Sequence, residues 1–209
     1  MRRGTTPVLV VVNKGPGQNL RCDWWPQDLT RLSRRYLVPA RSRNQRSAKL
    51  RKPAAEALTE MIESAQADGI RFYVRSAYRS YREQEDLYDY KVSEHGEDHA
   101  QRFSAQAGRS QHQLGTTVDL TTESLRWQIE HDFADTRAGD WLAENAFRFG
   151  YALSYPEGHE ELTGYAFEPW HYRFIGKRAA HEQRRSGHIL EEYLLACQDD
   201  PSGLACPEE

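Results

Sequence analysis

The alternation of apolar and polar positions along the chain predicts several helices and strands. Apolar residues recur at three- and four-residue steps across 48–69, which predicts an amphipathic helix ended by a glycine. Residues 70–76 alternate and include aromatic and branched side chains, which predicts a strand. Ser80 and Glu83 have the spacing of a capping box, so a second helix is expected from there to about residue 93.

The same criteria predict further strands at 7–13, 116–121, 151–154 and 172–175, and further helices near 26–35, within 96–107, and at 138–149, 177–185 and 189–197. Helices and strands follow one another without regular βαβ alternation, which favours an α+β fold over a doubly wound sheet. A chain of 209 residues is long enough for one domain. We expect residues 1–47 to be an N-terminal strand and wrapping segment of that domain, 48–197 its core and 198–209 a tail.

The composition limits the class of protein. The aromatic content of 11% is too high for a disordered chain, and no apolar run approaches the roughly 20 residues that span a bilayer. The apolar run at 7–12 follows two arginines, but it is too short for a signal peptide and lacks a small-residue cleavage site. We therefore expect either a cytosolic protein or the mature form of an exported one, and the sequence leaves both open. We expect a monomer.

The cysteines and the basic residues each leave alternatives open. Cys22, Cys197 and Cys206 do not form a metal motif; Cys197 and Cys206 either form a disulfide or stay as thiols. Residues 31–52 carry nine arginines and lysines and no acid, a pattern that is usually a solvated face and otherwise attracts an anionic polymer such as teichoic acid. Without interleaved aromatics or a nucleic-acid module, we expect no nucleic-acid partner.

Two segments carry the residues best suited to catalysis. GRSQHQLGTTVD (108–119) supplies His112 and Asp119, and EPWHYR (168–173) supplies Glu168 and His171. Two imidazoles and a carboxylate are a frequent ligand set for a catalytic zinc, and the remaining carboxylate, Glu168, is then available as general base. Arg79, at the predicted junction of strand and helix, is the best candidate to stabilise the oxygen of a tetrahedral intermediate.

The spacing within each pair requires an interrupted backbone. The histidine and aspartate are seven residues apart and the glutamate and histidine three, and odd separations point to opposite faces of an uninterrupted strand. Gly115 and Pro169 lie inside the two intervals, and both residue types interrupt regular strands. The pairs are therefore able to converge.

Three blocks resemble the VanY-type D,D- and L,D-carboxypeptidases: SAYRSYREQEDLY (76–88), GRSQHQLGTTVDL (108–120) and GYAFEPWHYRFIG (164–176). That family consists of zinc peptidases of bacterial peptidoglycan, with the fold shared by lysostaphin, D-Ala-D-Ala peptidases and hedgehog proteins. The resemblance implies a single α+β domain in which a small antiparallel sheet carries the zinc site and helices pack around it. It also implies that 48–197 is the catalytic core.

The resemblance further implies that the chain removes a terminal D-amino acid, D-Ala, from peptidoglycan stem peptides. The residues it assigns are the Zn²⁺ ligands His112, Asp119 and His171, the general base Glu168, Arg79 near the scissile carbonyl, and Gln84 and Ser110 against the substrate's terminal residue. Three positions differ from the family pattern: Thr117, where alanine is usual, and Ser154 and His159, where basic residues are frequent.

Other interpretations are available for the same residues. An endolysin-type peptidoglycan endopeptidase would share the metal blocks, and a zinc-stabilised binding module would share the ligands but have no use for Glu168. Arg79 is otherwise a helix-start residue, and Trp170 and Tyr172 are expected to be packing residues. The six remaining histidines are expected to be exposed side chains, with His159 the most plausible exception.

Overall fold

A computed structural model describes residues 8–39 and 48–199 of the chain. Within these ranges the strands are β1 (Leu29–Arg31), β2 (Lys49–Arg51), β3 (Tyr73–Ser76), β4 (Thr117–Thr121), β5 (Tyr151–Leu153) and β6 (His171–Phe174). The helices are α1 (Lys52–Ala67), α2 (Tyr81–His95), α3 (Glu97–Phe103), α4 (Arg137–Asn145), α5 (Glu160–Thr163), α6 (Lys177–Ser186) and α7 (Leu190–Asp199).

The strands form a two-stranded antiparallel ribbon, β1–β2, and a four-stranded antiparallel sheet in the order β3-β4-β6-β5. Because every strand pair is antiparallel and the helices lie around the sheet, the predicted α+β class is confirmed. The central strands β4 and β6 have both faces covered, and every residue of each is buried.

Helix α1 covers one face of the sheet. Its periodic apolar residues, among them Leu58, Met61 and Ile62, are buried in one core with Val118 and Leu120 of β4. The sequence predicted this helix because the apolar positions follow the helical period. Burial of its apolar face against the sheet is what stabilises the helix in the folded chain.

Strand alternation directs the other side chains of β4 and β6 away from α1. In β6, Tyr172 and Phe174 join the core with α1, so His171 points to the opposite face. In β4, Val118 does the same and leaves Asp119 facing the other way. The sheet therefore presents polar side chains on the face that α1 does not cover.

The predicted capping box at the start of α2 is confirmed. Ser80 Oγ accepts from the Glu83 backbone N–H at 3.3 Å, and Glu83 Oε2 accepts from the Ser80 backbone N–H at 2.9 Å. The helix ends at His95 and is followed by Gly96, whose φ of 83° suits glycine, and then by α3.

Two N-terminal predictions were wrong. The strand predicted at 7–13 is absent over residues 8–13, because the carbonyls of Val8 and Val10 accept hydrogen bonds from the buried Arg173 side chain at 2.8 and 2.5 Å instead of from a neighbouring strand. The helix predicted near 26–35 is replaced by β1 and a short 3₁₀ turn at Arg34–Tyr36. Pairing with β2, which lies about twenty residues further on, overrides the local preference.

Other predictions fall partly or wholly outside the described residues. Cys206, the candidate partner of Cys197, lies in the undescribed range 200–209, and three of the nine basic residues of 31–52 lie in 40–47. The domain limits at 47 and 197 stay predictions. No helix of the described ranges is both long and apolar enough to cross a bilayer.

Candidate functional site

Asp119 and His171 face each other across the central strands. The register of β4 and β6 pairs them directly, and both side chains lie on the face of the sheet away from α1. One carboxylate oxygen, Asp119 Oδ1, is 3.2 Å from His171 Nδ1. Directly opposed residues of an antiparallel pair have neighbouring Cβ atoms, so sheet register alone brings these two groups together.

His112 reaches the same point from a different element. It lies in a 3₁₀ turn, Gln111–Leu114, which ends at Gly115 with a φ of 71° before β4 begins. The left-handed glycine turns the chain between the two blocks, which explains how residues seven apart converge. His112 Nε2 then lies 3.1 Å from Asp119 Oδ2.

The three side chains form the one group in the described ranges that is suited to holding a metal ion. Their candidate ligand atoms all lie within 4.8 Å of one another, and all three residues are buried. Ligands about 2.0–2.1 Å from a tetrahedral zinc are roughly 3.3 Å apart. The two nitrogen–oxygen separations of 3.1 and 3.2 Å fit that spacing.

The hydrogen bonds of the imidazoles also fit a cation. His112 Nδ1 lies 2.7 Å from the Ala77 carbonyl oxygen, so Nδ1 carries the proton and the Nε2 lone pair faces Asp119. Asp119 Oδ1 is buried and has no hydrogen bond of acceptable geometry. Lone pairs that converge on one buried point favour a positive charge there, supplied by a proton or by a metal ion.

The pKa values show the same preference for positive charge. Burial alone would lower the pKa of His171, but the adjacent carboxylates of Asp119 and Glu168 raise it to about 9. Burial would raise the pKa of Asp119, yet the two imidazoles hold it well below its ordinary value. The pKa of His112 is lowered, mainly by burial. Two carboxylates against two imidazoles therefore favour a cation at the centre.

Glu168 lies beside the three candidate metal ligands but outside strand β6. Its Oε2 is 3.2 Å from His171 Nδ1, and its carboxylate is 15% exposed, more than the ligands are. The residue precedes β6 and is held by a hydrogen bond from its backbone N–H to the Tyr155 carbonyl. A partly exposed carboxylate next to a metal is placed to exchange protons with water and substrate.

Arg79 lies between β3 and α2, and its backbone N–H donates to the His112 carbonyl at 3.2 Å. Its guanidinium donates to Gln84 Oε1 at 2.6 Å and to Ser76 Oγ at 2.9 Å. Burial lowers its pKa, and the charge of Asp119 opposes that effect. These contacts hold a half-buried cation at the edge of the candidate metal site.

The two residues expected at the substrate's terminal residue have different surroundings. Gln84 is 1% exposed, and both ends of its amide bind within the protein, to Arg79 and, through Nε2 at 2.6 Å, to the Ala105 carbonyl. This arrangement orients Arg79. Ser110 lines the same cavity, and its Oγ accepts from the His112 backbone N–H at 3.3 Å; among the described residues its hydroxyl proton has no acceptor. Substrate contact by either residue stays a prediction.

Two buried polar residues form an outer layer behind His171. Gln111 Oε1 is 3.3 Å from His171 Nε2 and accepts a hydrogen bond from Ser154 Oγ at 2.7 Å. When His171 Nε2 donates its proton to Gln111 Oε1, the lone pair of the ring lies on Nδ1, which is then the nitrogen available to a metal. Ser154 is one of the positions that differ from the family pattern. Thr117, another, is fully buried and donates to the Gln111 carbonyl.

A cavity of about 620 Å³ is lined by the three candidate ligands and by Arg79, Gln84, Ser110, Gln111 and Glu168. Sequence reasoning missed several of its lining residues, which belong to separate elements: Lys91, Gln111, His131, Tyr155 and Tyr165. His131 was expected to be merely exposed; it is exposed, but its ring also stacks on Trp170 at the cavity wall. Of these residues, only Gln111 could have been found from the sequence, because it directly precedes His112.

Comparisons with known proteins identify the family of the chain. Residues 47–177 match the family model VanY, D-alanyl-D-alanine carboxypeptidase. The chain belongs to the VanY family. It is 38% identical to YodJ of Bacillus subtilis (strain 168) over 145 residues, which are 69% of this chain and 53% of that protein. It is 35% identical to a D-alanyl-D-alanine carboxypeptidase of Enterococcus faecalis, covering 66% of this chain and 52% of the relative. The chain thus spans about half the length of these curated relatives.

Solved structures of the VanY type share the fold. The LdcB LD-carboxypeptidase has a TM-score of 0.80 and 34% identity, covering 90% of this chain and 86% of LdcB. A mutant VanY D,D-pentapeptidase in complex with Zn(II) has a TM-score of 0.72 and 29% identity, covering 90% of this chain and 98% of that one. The predicted fold group is confirmed.

Proposed function

We propose that the VanY-type chain is a zinc-dependent carboxypeptidase that hydrolyses the terminal D-amino acid, D-Ala, from peptidoglycan stem peptides. The observation that carries the proposal is the buried His112–Asp119–His171 group with Glu168 beside it. Zn(II) in a solved VanY relative supports the choice of metal.

The three ligands would hold zinc through His112 Nε2, an Asp119 carboxylate oxygen and His171 Nδ1. Zinc in such a site polarises a carbonyl and lowers the pKa of a water molecule. The metal would supply only these two effects.

The remaining steps belong to side chains. Glu168 accepts a proton from the attacking water as the carbon–oxygen bond forms, and then donates it to the nitrogen of the leaving amino acid as the carbon–nitrogen bond breaks. The Arg79 guanidinium, already fixed by Gln84 and Ser76, stabilises negative charge on the carbonyl oxygen. Ser110 donates its free hydroxyl proton to the terminal residue.

The test is to incubate the zinc-loaded protein with tri-, tetra- and pentapeptide stems and with cross-linked sacculi, and to identify products by mass spectrometry. Loss of one terminal D-Ala from a stem supports the proposal, and the stem that reacts gives the D,D or L,D preference. Cleavage of sacculi without trimming of stems would indicate an endopeptidase. Zinc binding with no cleavage of either would indicate a binding module.

A further inference from the structure

Helix α2 extends the cavity beyond the metal group. Gln84, Leu87 and Lys91 line it at helical spacings of three and four, so they share one face of the helix. Gln84 contacts Arg79, whereas Lys91 lies about 10 Å further along the helix axis. The cavity thus has a cation on α2 in addition to Arg79.

The Lys91 ammonium has capacity for a ligand. Its one hydrogen bond in the described ranges is to the Phe103 carbonyl at 3.0 Å, and no ion pair with a described carboxylate involves it. An ammonium has three donors, so two are available. Lys14 is also close to Glu168, but its ammonium donates to two carbonyls, Gln101 and Gly164, and covers the Tyr165 ring.

The charges around Lys91 favour an incoming anion. Burial lowers its pKa, the charge of Glu168 opposes that effect, and Arg79 lowers the pKa further by repulsion. The two acids whose charges act on Lys91, Glu168 and Asp119, both face His171. With a divalent cation bound, the positive charge of Arg79, Lys91 and the metal exceeds the negative charge of Asp119 and Glu168. A negative group of the substrate would offset this excess.

We propose that Lys91 binds a carboxylate of the peptide substrate within the catalytic cavity. The inference rests on the proposed function, because it assigns a ligand to the same site. A stem peptide offers its terminal α-carboxylate and, according to the stem, side-chain or branch carboxylates. A charge-assisted pair with Lys91 would select peptides that carry the negative group at the correct position.

The test compares Lys91→Gln with the unchanged protein. Glutamine keeps a donor for the Phe103 carbonyl but removes the charge, and Lys91→Arg restores the charge. Lys177→Gln is the matched control, since Lys177 is exposed and pairs with Glu60. The substrates are one stem peptide and its derivatives in which each carboxylate is amidated in turn.

We expect Lys91→Gln to lower kcat/KM on the unmodified stem by about 10- to 100-fold, the range for a hydrogen bond to a charged group. On the derivative that lacks the bound carboxylate, the variant and the unchanged protein should be equal, which identifies that carboxylate. Lys91→Arg should keep most of the activity. An equal loss on every derivative, or no loss on any, would overturn the proposal.

Equilibrium binding separates this inference from the proposed function. The same peptides are titrated into zinc-loaded Glu168→Gln protein with and without Lys91→Gln. The loss of affinity caused by Lys91→Gln must disappear for one of the amidated peptides. If the unchanged protein cleaves no stem, the proposed function fails, yet the binding series still decides the role of Lys91.

Discussion

Ser154 and Gln111 are joined by a buried hydrogen bond of 2.7 Å, and the accepting oxygen also lies 3.3 Å from His171 Nε2. Neither residue is a metal ligand. Together they hold the ring so that Nδ1 faces Asp119 and Glu168. Ser154 directly follows β5 and Gln111 begins the 3₁₀ turn. These two residues thereby determine which nitrogen of the His171 ring is available to a metal.

This relationship predicts weaker zinc binding when the outer layer is removed. Gln111→Met should raise the zinc dissociation constant by about 10- to 100-fold, and Ser154→Ala by less, because the ring of His171 loses its fixed orientation. Competition with a chromophoric chelator measures this directly. Ser186→Ala, at the exposed end of α6, is the control and should bind zinc normally. Unchanged affinity in Gln111→Met would show that the layer has no part in holding the ligand.

Replacing Glu168 should separate catalysis from metal binding. Glu168→Gln keeps the shape of the side chain but cannot accept the proton, so hydrolysis should fall by about 10²- to 10⁴-fold while zinc content stays at one equivalent. His112→Ala should lose the metal, since it removes one of three ligands. Metal analysis and peptide hydrolysis are measured on the same preparations. Full activity of Glu168→Gln would eliminate the proposed mechanism.

Gln84 and Arg79 should behave as one unit. Arg79→Met is expected to lower kcat/KM by about 10²- to 10³-fold, as for loss of an oxyanion donor. Gln84→Met should lower it less, because the guanidinium keeps its bond to Ser76. In the double variant the loss should equal that of Arg79→Met alone. Losses that multiply would instead mean that Gln84 contacts the substrate independently, as the family resemblance implied.

Zinc removal should destabilise the fold. Free zinc at a hundred times its dissociation constant would add about 2.7 kcal/mol to the free energy of unfolding. For a chain of this size that corresponds to a melting temperature higher by roughly 5–10 °C. Thermal unfolding is compared with and without a chelator, and His112→Ala should show no response to zinc. An equal response in that variant would place the stabilising zinc elsewhere.

Much of the fold could be predicted because the signals are local. The helical period predicted α1, the Ser80–Glu83 spacing predicted the start of α2, and strand alternation predicted β4. The candidate metal ligands and Glu168 could be selected because their residue types and block spacing are specific. The metal that these residues bind and the reaction that they catalyse stay proposals.

The sequence by itself determined the helices, the main strands and the set of groups able to hold zinc, because backbone periods and residue chemistry depend on near neighbours. The tertiary structure decided the rest. It placed Asp119 opposite His171 through strand register, used Gln84 to hold Arg79, and kept residues 8–13 out of the sheet by bonding them to Arg173. These outcomes depend on contacts between residues far apart in the chain, which no local pattern contains.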